Sequence, residues 1–431
     1  MGKVFCRGYT LILYRYISVH LRKSAATPYN CRITTDEVFY PGAMKPDHVA
    51  ISTKGLLWHR TGHVWIYRDD LMSAGSAKSG DIVEVTDARG KFLGNAFYGE
   101  KSKIALRFLT RNEEVIDDSF FERRIREALD RRRKIMDEGA ALRLVYSEAD
   151  GIPGLIADAY GDWIVLQALI PGVDSRIEMI SGIFHDLLSP RGIVCRNDAS
   201  ARALEGLLLG KKVLYGEQPG LIEINEGHLR YLVDIWSGHK TGAYLDQREN
   251  RSVVARYARG RVLDCFSYQG HFALHCAKNA DTVTAVESSR DALAILEKNC
   301  ALNGFTTIAP LAANAFDLLR LYHREKSRFD TIVLDPPPLA RRKAHAGDAL
   351  RGYKEINLRA MHLLNSGGIL ASFCCSHSIS RDILMEILRY AAADARAGFR
   401  VLEELGQSDD HPILLNVPET AYLKGVILQK I

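Results

Sequence analysis

No run in this sequence approaches the roughly 20 consecutive apolar residues that a membrane-spanning helix needs, so no membrane segment is predicted. The eight cysteines are scattered, without a CxxC pair or a regular His/Cys spacing. That argues against a metal centre and against a disulfide framework, and suits reduced thiols in the cytoplasm. Charge of one sign is also scarce in excess: 57 Lys plus Arg face 52 Asp plus Glu, a net +5 that permits an anionic partner without demanding one. The first segment carries basic residues throughout and lacks a clean apolar core before a small-residue cleavage site, so it does not read as a signal peptide. Residues 1–45 are expected to be a leader, either disordered or an extension from an upstream start, because Met44 immediately precedes the first well-patterned segment.

What is present is the balance of a globular protein, 47% apolar and 25% charged over 431 residues, a length that suits about two or three domains. From residue 50 to 111, HVWIY, DIVEVTD, KFLGNAFY and KIALRFL predict strands between Gly, Asp, Lys and Ser turns, and hence a small β-barrel. The period then changes. Residues 120–138, FFERRIREALDRRRKIMDE, predict a helix with Phe121, Ile125, Leu129 and Ile135 on its buried side. Its Arg123, Arg124, Arg126, Arg131, Arg132, Arg133 and Lys134 either form a solvated face or meet phosphates, since so many like charges are costly without a counter-charge. Residues 143–235 predict mixed α/β structure, with two strand-like runs around a Gly/Pro turn and then GIVCRND, KVLYGE, LIEINEG and HLRYLVDIW. From Gly260 strands and helices alternate, the pattern of a largely parallel sheet covered on both faces.

The strand RVLDCF closes on Asp264-Cys265-Phe266-Ser267-Tyr268-Gln269-Gly270. Gly270 lets the backbone approach a ligand, and Glu287 at the next strand end is placed to reach ribose hydroxyls in a doubly wound fold. The loop has neither GxGxxG nor GxxxxGK[ST], so a dinucleotide or ATP fits less well than another nucleoside cofactor. A turn glycine and a surface glutamate remain the plain alternative. Asn314 stands by the following strand terminus, where its amide can meet an adenine edge, and Asp335-Pro336-Pro337 ends the strand after that. A carboxylate fixed by prolines at the carboxyl edge of a parallel sheet sits where open α/β enzymes keep their chemistry, though the same residues also make a stiff turn.

Cys375 ends a further strand, GILASFCCS, predicted on the same sheet edge as Asp335. Cytosine C5 is a poor nucleophile until a thiolate adds to C6, so a cysteine beside a base-holding carboxylate has a chemical purpose. Two packing thiols, Cys374 and Cys375, are the alternative.

Taken together these segments resemble the bacterial large-subunit ribosomal RNA cytosine-C5 methyltransferases that carry an N-terminal PUA domain. The resemblance rests on GHKTGAYLDQR at 238–248, LDCFSYQG, LDPP, RGYKEIN at 351–357, the Cys375-Ser376 strand end and the closing HPILLNVPETAYLKG, and it covers residues 46–431. It implies an α/β protein with a PUA-like RNA-binding barrel at 46–113, a middle α/β domain at 114–225 and a Rossmann-like methyltransferase domain at 226–431. It implies S-adenosylmethionine as cofactor, held by Asp264, Phe266, Gly270, Glu287, Asn314, Asp335 and Gln247. Cys375 is then the nucleophile and Asp335 the residue that binds the base, with Lys240, Tyr244, Pro336, Pro337, Arg123 and Arg124 on the side of the substrate, large-subunit ribosomal RNA. Monomer and homodimer both stay open.

The chain departs from the family pattern at Pro338, where lysine is common, at His271, where a second glycine is usual and a narrower cofactor entrance is expected, at Asn314 for aspartate, and at Cys374 for a small hydroxyl residue. His377 is near enough to consider as the base for the C5 proton, but reads more simply as a surface histidine. A guanine methyltransferase and a non-catalytic RNA-binding assembly factor are the competing functions.

Overall fold

The computed structural model describes residues 48–137, 139–339 and 346–431, so the expected leader lies outside the described residues. The first layer is a six-stranded sheet in the order β2-β6-β5-β4-β1-β3. Its strands are β1 (His48–Ile51), β2 (Trp65–Tyr67), β3 (Leu71–Ser73), β4 (Ile82–Thr86), β5 (Phe92–Tyr98) and β6 (Ile104–Thr110). Alternation in β4 sends Val83 and Val85 inward onto Val49, Ile51, Ile66 and Phe108. Besides the four predicted strands, β1, β3 and a helix, Thr53–Arg60, belong to this layer. Ser52 caps that helix by accepting from the Gly55 N–H.

The second sheet runs β11-β10-β9-β8-β7. It comprises β7 (Ala141–Tyr146), β8 (Leu155–Tyr160), β9 (Trp163–Ala168), β10 (Gly192–Asn197) and β11 (Gly210–Tyr215). The region read as two strands before residue 170 holds three, because the tight turn between β8 and β9 is one short break in a continuous apolar run. Helices Asp118–Arg132 and Ile177–Leu188 bury Phe120, Phe121, Ile125, Ile180 and Phe184 against this sheet.

The arginines of Asp118–Arg132 find their counter-charges within the protein. Arg123 pairs with Glu114 and Glu127, Arg124 with Glu127, Arg126 with Glu122, and Arg133 with Asp130. Arg132 is fully buried and meets both oxygens of Asp150, at 2.8 and 2.7 Å. The cost that pointed to phosphates is thus largely met by carboxylates nearby.

A hairpin of β12 (Leu221–Glu226) and β13 (Leu229–Asp234) follows and spans residue 225. The last sheet has seven strands in the order β16-β15-β14-β17-β18-β20-β19. They are β14 (Arg261–Cys265), β15 (Thr282–Glu287), β16 (Ile308–Ala312), β17 (Phe329–Leu334), β18 (Leu364–Cys374), β19 (Phe399–Leu405) and β20 (Lys424–Lys430). β14 to β18 are parallel and β20 runs against its neighbours. Both faces are covered, which is why the strands read as continuous apolar runs. Val333 and Phe373 face one core, with Val254 and Leu296, while Ile332 and Leu370 face the other, with Leu319 and Ile356. The strand order reverses at β14 and β17, the point beyond whose carboxyl strand ends open α/β sheets bind their ligands.

Candidate active site at the sheet switch point

Asp264 lies in β14 and is buried. One carboxyl oxygen accepts from the Ser267 hydroxyl at 2.6 Å, while the other has no hydrogen-bond partner among the described residues. Burial pushes its acid up to about 7, with the nearby Asp335 and Glu287 charges adding to the effect and the Ser267 bond opposing it. An unpartnered buried oxygen of this kind calls for a ligand donor.

The loop that follows is held in an unusual conformation, with positive φ at Phe266 (66°), Tyr268 (52°) and Gly270 (83°). Glu287 at the end of β15 fixes it, accepting from the Tyr268 N–H at 3.1 Å with one oxygen and from the Ser288 and Ser289 N–H groups with the other. A Cβ on Gly270 would stand 1.6 Å from Leu296 Cδ1, so this glycine is required by the left-handed backbone and by the close approach of helix Arg290–Asn303. Phe266 meets Phe316 edge-on at 5.9 Å. Asn314 is exposed and caps helix Ala315–Arg324: its side-chain oxygen accepts from the Phe316 N–H at 2.9 Å, so that oxygen already has a structural task. Gln269 is buried with its amide oxygen unpartnered. His271 is turned into the protein. It is buried against Tyr231, ring centroids 4.5 Å apart, because the first residue of helix His271–Ala277 faces β13; burial and the Arg251 charge push its imidazolium down to about 3.

The second half of the site is built on β17 and β18. Asp335 follows β17, with the Gln247 side chain near its carboxyl group. Burial and the Asp246 charge push its acid up to about 7, against the pull of Lys240 and Gln247. Cys374 ends β18 inside the core; Cys375, one residue on, is half-buried and its Sγ lies 3.8 Å from the Pro336 carbonyl oxygen. Burial and the Asp335 charge push the Cys375 thiol up to about 12, while Lys240 acts in the opposite direction.

Residues 238–248 lie against this pair. Lys240 bonds Asp246 at 2.6 Å and stands over the Tyr244 ring at 4.5 Å. Tyr244 meets Tyr268 edge-on at 5.4 Å, and His239 stacks on Tyr268 at 4.8 Å, which joins the two halves of the site. Pro336 is buried, whereas Pro337 and Pro338 are exposed. Arg123 and Arg124 stand apart on the second sheet's helix, paired as described. Two participants went unread in the sequence: Asp246, buried within GHKTGAYLDQR, and Tyr422, whose hydroxyl donates to Asp246 at 2.6 Å from the closing segment. Among the described residues there is no cluster of three or more His, Cys, Asp or Glu arranged for a metal, and no helix long and apolar enough to cross a membrane.

The family model of an S-adenosylmethionine-dependent methyltransferase matches residues 210–428, the part of the chain that builds the seven-stranded sheet, and a PUA-like domain is matched at 49–111. The polar groups left unpartnered at Asp264 and Gln269 suit the amino and hydroxyl donors of that cofactor. Curated relatives narrow the class. The chain is 37% identical over 378 residues to ribosomal RNA large subunit methyltransferase I of Alteromonas mediterranea, covering 86% of this chain and 95% of the relative. It is 38% identical over 373 residues to the protein of that name in Klebsiella pneumoniae, covering 84% and 93%. The chain belongs to the ribosomal RNA large subunit methyltransferase I family. In fold it is similar to a methyltransferase of Streptococcus mutans, with a TM-score of 0.77 at 18% identity over 89% of this chain and all of that one. A methyltransferase solved with SAH bound gives the same TM-score.

Proposed function

We propose that this protein transfers a methyl group to C5 of a cytosine in large-subunit ribosomal RNA through a covalent adduct with Cys375. The substrate follows the name of its relatives. The observation that carries the chemistry is the Cys375 thiol against the Pro336 carbonyl, beside Asp335, at the ends of adjacent parallel strands.

Bound S-adenosylmethionine supplies an electrophilic methyl group. It would be held by Asp264, Phe266, Gly270, Glu287 and Asn314 on one side and by Asp335 and Gln247 on the other. The protein activates the acceptor. Cys375, as thiolate, forms a bond to cytosine C6, and the displaced ring electrons make C5 nucleophilic. Asp335 in its acid form donates its proton to N3 and so neutralises the adduct, a task suited to a carboxyl group titrating near 7. Once C5 is methylated, a water molecule takes the C5 proton, the Cys375–C6 bond breaks, and N3 returns its proton to the Asp335 carboxylate, so that thiolate, carboxylic acid and aromatic base are restored. Lys240, Tyr244, Pro336 and Pro337 line the substrate side.

The domains are taken as 46–113, 114–225 and 226–431, and RNA is held by backbone contacts and shape through the PUA-like layer and the helix that follows, in the cytoplasm. Arg123 and Arg124 contribute there by exchanging Glu114 and Glu127 for phosphate. The test is methyl-labelled S-adenosylmethionine with large-subunit RNA, free and in assembling particles, followed by mass spectrometry of the labelled nucleoside for wild type and Cys375→Ala. Label in 5-methylcytidine that vanishes in the variant supports the reading. A labelled guanosine, or 5-methylcytidine undiminished in the variant, overturns it.

A further inference from the structure

The first sheet carries a cavity that the proposed methyl transfer does not use. Its volume is about 430 Å³, and Lys54, Leu57, Trp58, Thr61, Tyr67 and Asp70 line it. That size falls within the roughly 300–1,000 Å³ of small-ligand sites. Lys54, Leu57, Trp58 and Thr61 recur at three- and four-residue steps, so helix Thr53–Arg60 and its cap turn one face to the cavity. Tyr67 and Asp70 close it from the end of β2 and the turn before β3. Large apolar side chains are left at the surface here, Leu57 59% exposed and Tyr67 37%. Trp58 is held by the His63 ring, with centroids 4.6 Å apart.

The chemistry of the walls says what fits. They are aromatic and aliphatic, with polar groups only at Lys54, Thr61 and Asp70. Lys54 and Asp70 pair at 3.2 Å and are neutral as a unit, so the cavity itself does not call for a phosphate. A nucleobase has the matching division, with apolar faces that stack on rings and a polar edge. Cations for the attached backbone stand on the same helix and beside its end. Arg60 is exposed at the helix terminus. Arg111 is exposed too, donates to the His59 and His63 carbonyls at 2.9 and 3.2 Å, and makes no ion pair among the described residues. The turn after the helix also packs on the C-terminal segment: a Cβ on Gly62 would stand 2.1 Å from the Asn416 amide nitrogen, and His63 meets Glu419 at 3.1 Å. In that same segment Lys424 donates to the carbonyl of Ser376, the residue after Cys375, at 2.7 Å.

We propose that this cavity seats one unpaired nucleobase of the RNA against Trp58 and Tyr67, with the flanking phosphates on Arg60 and Arg111. The proposal deepens the reading of the PUA-like layer as RNA-binding and rests on it. It adds a contact to a single-stranded nucleotide to the contacts with backbone and shape.

The test uses the full-length protein and two RNAs of about ten nucleotides and equal charge: oligouridylate, and the same backbone with every base removed. Affinity is measured by fluorescence anisotropy over a range of salt. Stacking a base on an aromatic side chain strengthens binding about five- to a hundredfold, so the wild type should prefer oligouridylate by about that factor. Tyr67→Ala and Leu57→Glu should each bring oligouridylate close to the abasic level, and Tyr67→Ala should leave the salt dependence unchanged, because the phosphate contacts stay. Both residues are at the surface, and urea midpoints close to wild type separate a lost contact from lost folding. Equal affinity of the wild type for the two RNAs overturns the proposal and leaves RNA binding intact. A preference for oligouridylate that survives in both variants overturns it as well, by placing the base contact elsewhere. Variants that bind both RNAs as the wild type does, yet fail on assembling particles, would show that the cavity takes a ribosomal protein instead. Binding of neither RNA overturns the proposal together with the RNA-binding reading. The cysteine chemistry fails separately, by 5-methylcytidine formed in Cys375→Ala.

Discussion

Replacing Asp264 by asparagine should make the free protein more stable at alkaline pH and at the same time impair cofactor binding. The side chain is buried, keeps the hydrogen bond from Ser267 through one oxygen, and leaves the other unpartnered. Its acid is pushed up to about 7 by burial first and by Asp335 and Glu287 after that, whereas in the unfolded chain it returns to about 3.8. A carboxyl group whose folded pKa is raised contributes stability that is fully present below the unfolded value and is lost as pH rises through the folded value. Between pH 4 and 7 the native state holds a proton that the unfolded state has released, so stability falls by about 1.4 kcal/mol per pH unit from this group alone. From pH 5.5 to 8.5 that amounts to about 2 kcal/mol, from the 1.5 units below the folded pKa. Asparagine has no such ionisation, and its amide oxygen keeps the Ser267 contact. Urea unfolding of both proteins across this range should give a stability difference that shifts by about 2 kcal/mol in favour of the variant as pH rises. Calorimetric titration with S-adenosylmethionine at pH 8 should show binding weakened about tenfold or more, since a charge-assisted bond is worth about 1.5–3 kcal/mol. Parallel stability curves would refute the ionisation argument, and unchanged affinity would refute the placement of the cofactor against Asp264.

Other substitutions probe separate parts of the structure. Cys374→Ser should retain 5-methylcytidine formation in the labelled-methyl assay, because Cys374 is buried in the core and Cys375 is the partly exposed thiol of the two. Gly270→Ala should lower unfolding free energy by about 2–4 kcal/mol in urea, combining the left-handed backbone cost with the Leu296 contact. Asp150→Ala leaves Arg132 buried without its carboxylate and should cost about 3–5 kcal/mol by the same measurement, while Glu114→Gln, at the partly exposed partner of Arg123, should change stability by less than about 1 kcal/mol.

The parts of the molecule legible in the sequence are those where one physical cause dominates. β14, β17 and the second half of β18 are covered on both faces, so they read as apolar runs, and Asp264, Glu287, Asp335 and Cys375 stand at or beside the carboxyl ends of β14, β15, β17 and β18. β1 and β3 have four and three residues, too few for alternation to declare itself, and TKGLLWHR has no clean apolar stripe to mark its helix. The arginine helix left two readings open for a different reason. Its counter-charges come from Glu114, Glu122 and Asp150, which belong to the preceding loop, the helix itself and the turn after β7, and a charge count along one segment does not see them. His271 misled because a position in a loop motif does not give a direction: the start of its helix turns the ring onto Tyr231. The Asp246–Tyr422 bond joins residues 176 apart in sequence, beyond the reach of any local pattern.

That long-range bond is one of a series made by residues 406–424, which run from the end of β19 to the first residue of β20. Asp410 accepts from the Arg143 N–H at 2.8 Å and its carbonyl from Arg132 at 2.7 Å, tying the segment to the second sheet. Glu419 meets buried His63 of the first sheet at 3.1 Å. Tyr422 and Lys424 then reach Asp246 and the carbonyl of Ser376, the residue after Cys375. One stretch of chain therefore touches all three layers and finishes at the strand end that carries Cys375. Much of it is irregular backbone, so its place is set by these side-chain bonds, several of them buried and costly to break. A displacement of the PUA-like layer at His63 would be felt at Glu419, three residues before the tyrosine that positions Asp246. The C-terminal segment thus connects the PUA-like layer, through the Glu419–His63 contact, to the strand end that carries Cys375, which gives a physical reason for a loop between two antiparallel strands to carry so specific a sequence.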